Sequence, residues 1–161
     1  MARRLLPLLL ACLAAAAAAG WQGRVVAIAD GDTLTVLRGR QQVKVRLYGI
    51  DCPELGQPFG RRARQRAAEL AFGQTVAVRP ESRDRYGRTV AWVVLPGGRT
   101  LNEILVAEGL AWHYRRYAPR AGQLAELEQQ ARAARRGLWQ DPNPVPPWNW
   151  RRPGRATISR E

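Results

Sequence analysis

Asp30, Asp32, Asp51 and Glu54, four of only thirteen acidic residues, fall in one otherwise strand-like stretch of a chain that carries 26 lysines and arginines. Carboxylates gathered so closely repel one another unless a cation joins them. A fold must therefore spread these acids into solvated turns or assemble them around positive charge. Asp30 and Asp32 are two residues apart, so in extended chain both side chains leave on the same side, and Gly31 permits a bulge or a close approach there. If the run Arg46-Leu-Tyr-Gly-Ile-Asp51-Cys52-Pro-Glu54 pairs in the same sheet, all four acids meet. Hard carboxylate oxygens with no His or paired Cys beside them suit Ca²⁺ or Mg²⁺ and disfavour zinc. The plainer alternative makes Asp30-Gly31 a hairpin turn and Asp51 to Glu54 a second, solvated turn.

Around this cluster the apolar pattern predicts strands over Gly23 to Asp30, Thr33 to Leu37 and Val43 to Tyr48, the last two joined by the turn Arg38-Gly39-Arg40. A helix is expected from Pro58 to Ala71, with Ala63, Ala67, Leu70 and Ala71 inward and Arg61, Arg62, Arg64 and Arg66 mostly on a solvated face. Two more strands follow, Thr75 to Val78 and Thr89 to Leu95, around the polar loop Arg83 to Arg88 with Tyr86 at its centre. Thr100 with Glu103 three residues on forms a capping box for a second helix that ends at Gly109. Leu110 to Tyr117 is short, apolar and aromatic, and holds the single histidine, His113. A third helix runs from about Gly122 to Arg136, with Leu124 and Leu127 starting its apolar stripe and Gly137 at its stop. Five short strands and three helices make an α+β chain, mainly β, consistent with a small closed barrel.

At 161 residues one domain is expected. Arg3 and Arg4, the apolar run Leu5 to Ala18 and the small residues up to Ala19 read as a signal peptide over residues 1–19. That run is shorter than the ~20 residues of a membrane span. A lipoprotein-type site at Cys12 fits less well, because the apolar run continues past it. The domain proper is placed at 21–140, and 141–161 is a Pro-, Trp- and Arg-rich tail in which Trp148 and Trp150 either pack back on the domain or stay exposed. Cys52 is then the one thiol of the mature chain, so no internal disulfide is available and the fold rests on its core.

The net charge is +13 and Lys44 is the only lysine. Guanidinium forks match phosphate oxygens bidentately, so DNA or RNA suits this field, although a genomic preference for arginine codons would give the same count.

Asp30-Gly-Asp32-Thr33, Arg46-Leu-x-Gly-Ile-Asp51-x-Pro-Glu54 and Asp84-Arg-Tyr86-Gly-Arg88, in that order and spacing, resemble the staphylococcal nuclease (thermonuclease) family. The resemblance extends from about Gly23 to Trp139 and takes in the Asn102-Glu103 helix and the Gly137-Leu138-Trp139 ending. It implies an OB-fold, a five-stranded Greek-key barrel with three helices, and a Ca²⁺-dependent nuclease acting on DNA and RNA; the signal peptide adds a secreted or periplasmic location, and a monomer is expected. By position it implies Ca²⁺ held by Asp32, Asp51 and the backbone carbonyl of Cys52, with Asp30 behind them. It likewise implies Glu54 as general base, Arg46 and Arg88 on the scissile phosphate, and Tyr86 and Tyr114 against the substrate. The residue types suit the chemistry: hydrolysis adds charge to an anionic phosphate, so the site needs a cation and fixed donors, and a base for the water.

His113 as an alternative base is weighed against a wall histidine between Trp112 and Tyr114, the better reading. Cys52 as a nucleophile has no partner base in reach and reads better as a packed thiol. Two other classes would use the same charge: a catalytically silent nucleic-acid-binding OB module, and a basic protein on anionic envelope polymers or membrane surfaces. The first leaves Arg46, Glu54 and Arg88 together without a purpose, the second the acidic cluster.

Overall fold

The computed structural model describes residues 20–152. The signal peptide read over 1–19, with Cys12, and the end of the tail, 153–161, lie outside them.

Strands β1 (Trp21–Ile28), β2 (Thr33–Arg38) and β3 (Gln41–Leu47) form an antiparallel meander. A two-residue strand, β4 (Ile50–Asp51), and helix α1 (Gly60–Ala71) follow, then β5 (Thr75–Arg83) and β6 (Thr89–Val94). The barrel closes in the order β1-β2-β3-β6-β5, with β3 and β6 the parallel pair, which is the expected five-stranded OB-type barrel. Alternation builds its interior: Leu34 and Val36, Val45 and Leu47, Val76 and Val78 point inward and are buried. In β1 the inward residues Val25 and Ile28 are three apart, and a register shift between Val25 and Ala27 absorbs the odd residue.

β5 runs past its expected end at Val78, through Pro80. A second shift, between Pro80 and Ser82, falls where the proline has no N–H to give the ladder, so the strand survives it.

Helix α2 (Leu101–Ala107) is capped as expected: the Thr100 hydroxyl accepts from the Glu103 N–H at 3.1 Å and donates to the Glu103 carboxylate at 2.7 Å. Leu101 and Leu105 on α2 and Leu124 on α3 (Gly122–Ala133) are fully buried, each contributing about 1.5–3 kcal/mol of apolar burial. Of the arginines assigned to the solvated face of α1, Arg66 is instead clamped to Glu108 by two 2.8 Å hydrogen bonds that tie α1 to the end of α2. A short strand β7 (Trp112–His113) pairs antiparallel with β4. Gly109 and Gly137 are both at positive φ, and the Leu138 N–H donates to the Gly109 carbonyl at 2.8 Å; a Cβ at Gly137 would strike the Gly109 carbonyl, and one at Gly109 the Arg136 carbonyl. A 3-10 turn (Gly137–Gln140) leads into the tail, whose four-residue helix α4 (Pro147–Trp150) adds a fourth helix to the three expected. Among the described residues no helix is long and apolar enough to cross a membrane.

Candidate active site

The loop between β1 and β2 carries Asp30 and Asp32 in a bend rather than in the extended chain expected. Asp30 Oδ1 accepts from the Asp32 N–H at 3.0 Å, so Asp30 braces the turn while Asp32 points into the protein and is buried. Gly31 makes the approach possible: a Cβ there would lie 2.8 Å from Ala63 on α1 and from both Cys52 side-chain atoms. Asp32 Oδ2 then accepts from the Cys52 N–H at 2.6 Å, which locks the β1–β2 loop onto the segment after β4.

Arg46, near the end of β3, reaches two carboxylates at once. Its Nη2 donates to Asp51 Oδ1 at 2.8 Å and to the Ile50 carbonyl at 3.3 Å. Its Nη1 makes a close ion pair with Asp32 Oδ1, outside hydrogen-bond geometry. Asp51 is 1% exposed. A carboxylate so buried is costly unless it is paired, and Asp51 shares the Arg46 guanidinium with Asp32. Glu54 lies at the rim, its N–H accepted by Gln57 Oε1 at 3.1 Å. The solvated-turn alternative for Asp51 to Glu54 is thereby set aside for Asp51, and of the four acids Asp32 and Asp51 meet at one guanidinium.

What fixes Asp51 in place comes from residues far along the chain. Buried Asn102 on α2 accepts from the Val93 N–H at 3.1 Å and donates to the Tyr48 and Ala91 carbonyls at 2.9 and 3.3 Å, pinning the chain just before β4. β7 pairs Trp112 with Asp51, and β7 is itself held by Glu128, 3% exposed, which accepts from the His113 N–H at 3.1 Å. Glu128 also pairs with Arg132 at 3.4 Å and Arg115 at 3.7 Å. Sequence reasoning passed over Glu128 because it stands in the apolar stripe of α3, between Leu124 and Ala131. That position was its only signal.

Arg88 and Tyr86 form a second group on the β5–β6 loop. The Asp84 carboxylate accepts from Arg88 Nε at 2.7 Å and from the Tyr86 and Arg88 N–H groups at 2.9 Å each. Burial alone would push the Asp84 carboxyl up; the Arg88 side-chain and backbone hydrogen bonds and the Arg88 charge outweigh it and hold the pKa below its ordinary value. The Arg88 guanidinium lies 5.5 Å from the centre of the exposed Tyr86 ring. Val90 pairs with Arg46 across β3 and β6, so Arg88, two residues earlier, stands at the neighbouring strand end rather than in contact with the carboxylates.

His113 is a wall residue, as the sequence favoured: it is buried, with Nε2 2.9 Å from the Ala118 carbonyl oxygen. Burial also pushes the Cys52 thiol well up, against the pull of Arg46, which leaves it neutral and a poor nucleophile.

Tyr114, anchored through its N–H to the Gly49 carbonyl at 2.8 Å, opens a cleft of about 1130 Å³ lined also by His113, Arg115, Arg116 and Trp148. The tail crosses this cleft. Trp148 stacks on Tyr114 at 4.9 Å between ring centres and 7° between planes. Arg151 Nη2 donates to Asp51 Oδ2 at 2.6 Å, and its Nη1 to Glu54 Oε1 at 2.6 Å and Asp51 Oδ1 at 3.2 Å. Arg151 had no signal in the sequence, lying about a hundred residues from its partners among many other arginines.

Residues 44–141 match the family described as "Staphylococcal nuclease homologue". Over 143 residues the chain is 52% identical to a micrococcal nuclease of Shigella flexneri, covering 83% of this chain and 82% of that protein. It is 46% identical to Protein ParB of Escherichia coli over 81% of this chain and 79% of the relative. An uncharacterised endonuclease of Escherichia coli O157:H7 is 44% identical, over 80% of this chain and 84% of its own length.

Proposed function

Because the chain belongs to the staphylococcal nuclease family and is a nuclease, a hydrolase of nucleic acids, we propose that it is a Ca²⁺-dependent enzyme, secreted or periplasmic and monomeric, that cuts both DNA and RNA. The observation that carries the reading is the pair Asp32 and Asp51 on the Arg46 guanidinium, with Asp51 joined to Glu54 through Arg151.

Among the described residues no group of three or more His, Cys, Asp or Glu side chains stands gathered as a cation cage. The donor set nonetheless fits a hard cation. It is oxygen throughout, two carboxylates and a backbone carbonyl, and a second guanidinium, that of Arg151, already stands across Asp51 and Glu54 where positive charge is wanted. Asp32, Asp51 and the Cys52 carbonyl would hold Ca²⁺, with Asp30 bracing Asp32 from behind. Bound there, the ion supplies positive charge to the phosphate and makes water a better nucleophile.

The remaining steps belong to the protein. Glu54 takes the proton of a water whose oxygen forms a bond to phosphorus, while the bond from phosphorus to the leaving ester oxygen breaks. Arg46 and Arg88 donate to the phosphate oxygens as charge builds on them; Asp84 holds Arg88 to that task in advance, so little reorganisation is needed. Tyr86 and Tyr114 contact the flanking substrate. Residues 1–19 direct the chain out of the cytoplasm.

The experiment is to incubate the mature chain with plasmid DNA and with RNA, in Ca²⁺ and with a Ca²⁺ chelator. Both substrates are cut in Ca²⁺ and neither with the chelator. Equal cutting in the chelator would refute the metal dependence.

A further inference from the structure

The tail is the one part of the chain whose contacts the catalytic reading leaves without a purpose, and those contacts are specific. Three hydrogen bonds from Arg151 take up both oxygens of Asp51 and one of Glu54. A fourth anchor, Gln57 Nε2 to the Val145 carbonyl at 2.5 Å, sets the strap's near end on the buried residue that also holds the Glu54 N–H. At the far end Trp148 lies flat on Tyr114 and edge-on to Trp112, 5.7 Å between ring centres. Pro147, buried at the start of α4, fixes the turn between them.

We propose that residues 145–152 are a built-in competitor of the active site: a strap whose Arg151 occupies the carboxylates that a divalent cation needs, and whose Trp148 covers the aromatic platform that a nucleic acid base would use. The inference rests on the assignment of Asp51 and Glu54 given above. In the closed arrangement both Asp51 oxygens accept from Arg151, and one Glu54 oxygen is taken by the same guanidinium. Both occupants resemble what they exclude, a cation on the acids and a planar ring on Tyr114. On opening, water takes over the hydrogen bonds of Arg151, which is 43% exposed, while buried Asp51 keeps Arg46. Binding of cation and nucleic acid therefore opens the strap, and the strap sets the Ca²⁺ concentration at which the enzyme becomes competent. With the strap closed in roughly nine-tenths of molecules, apparent affinity falls about tenfold.

The test is calorimetric titration of the full mature protein with Ca²⁺ alone, without substrate. Arg151→Ala should bind Ca²⁺ about tenfold more tightly than the parent, and Arg152→Ala, which removes the same charge from the adjacent exposed residue, should match the parent. Tryptophan emission should shift as Ca²⁺ is added to the parent and stay constant in Trp148→Phe. Asp51→Asn, run alongside, separates the two readings. Retained Ca²⁺ binding in Asp51→Asn would overturn the site assignment and the strap with it. Lost binding there together with parental or weaker affinity in Arg151→Ala would overturn the strap alone.

Discussion

The Asn102 side chain donates to the Tyr48 carbonyl at 2.9 Å, and through that bond helix α2 holds the strand end from which Asp51 projects three residues later. The same amide also serves β6, accepting the Val93 N–H and donating to the Ala91 carbonyl, so it is fully used inside the protein.

Asn102→Ala leaves the buried Val93 N–H and the Tyr48 carbonyl without this partner, while the Ala91 carbonyl keeps the Tyr48 N–H; each group left unsatisfied costs about 1–3 kcal/mol. The variant should be destabilised by at least about 2 kcal/mol in urea unfolding, with a fall in turnover from the loosened Asp51 segment. An unfolding midpoint equal to the parent's would show that the Asn102 bonds do not carry this load.

Arg88→Lys should lower turnover at least about tenfold, because an ammonium cannot keep the Asp84 contact through Nε and still present a fork to phosphate. Arg61, exposed on α1, is the matched control; Arg64 serves less well because its Nε donates to the Ile28 carbonyl at 3.2 Å. Equal rates for Arg88→Lys and Arg61→Lys under saturating DNA and Ca²⁺ would remove Arg88 from the chemistry.

Acid should release that loop first. The Asp84 pKa is lowered in the folded protein, so its contribution to stability is whole above the ordinary carboxylate value of about 4 and is lost as pH falls below it. Unfolding free energy measured from pH 6 downward should therefore decline more steeply below about pH 4 in the parent than in Asp84→Asn. Parallel curves would mean that the Arg88 contact does not favour the charged carboxylate.

The barrel was legible because alternation in β2 and β3 is strong, β6 is a continuous apolar run and the turns carry glycine. What escaped was set by contacts between distant segments. The strand expected to end at Val78 runs on through Pro80, and only the β5–β6 register shift shows how the ladder passes it. The acids could be grouped from the sequence, since their types and spacing constrain one another, but the geometry that joins them, a bend at Asp30 to Asp32 rather than extended chain, depends on Gly31 packing on Ala63 and Cys52. Glu128 and Arg151 act through partners separated from them by helices and loops. A glutamate in a helical stripe signals burial but not its partners, and one arginine among many gives no local sign of its role.

Glu54→Gln bears most directly on the account, because it keeps the shape of the side chain and the acceptor for Arg151 while removing the base. Under saturating Ca²⁺ and DNA, single-turnover cleavage should fall about 10²–10⁴-fold while DNA affinity stays near the parent's. Cleavage at the parental rate would contradict Glu54 as the base and, with it, the reading of the Asp32–Arg46–Asp51–Glu54 cluster as the catalytic centre.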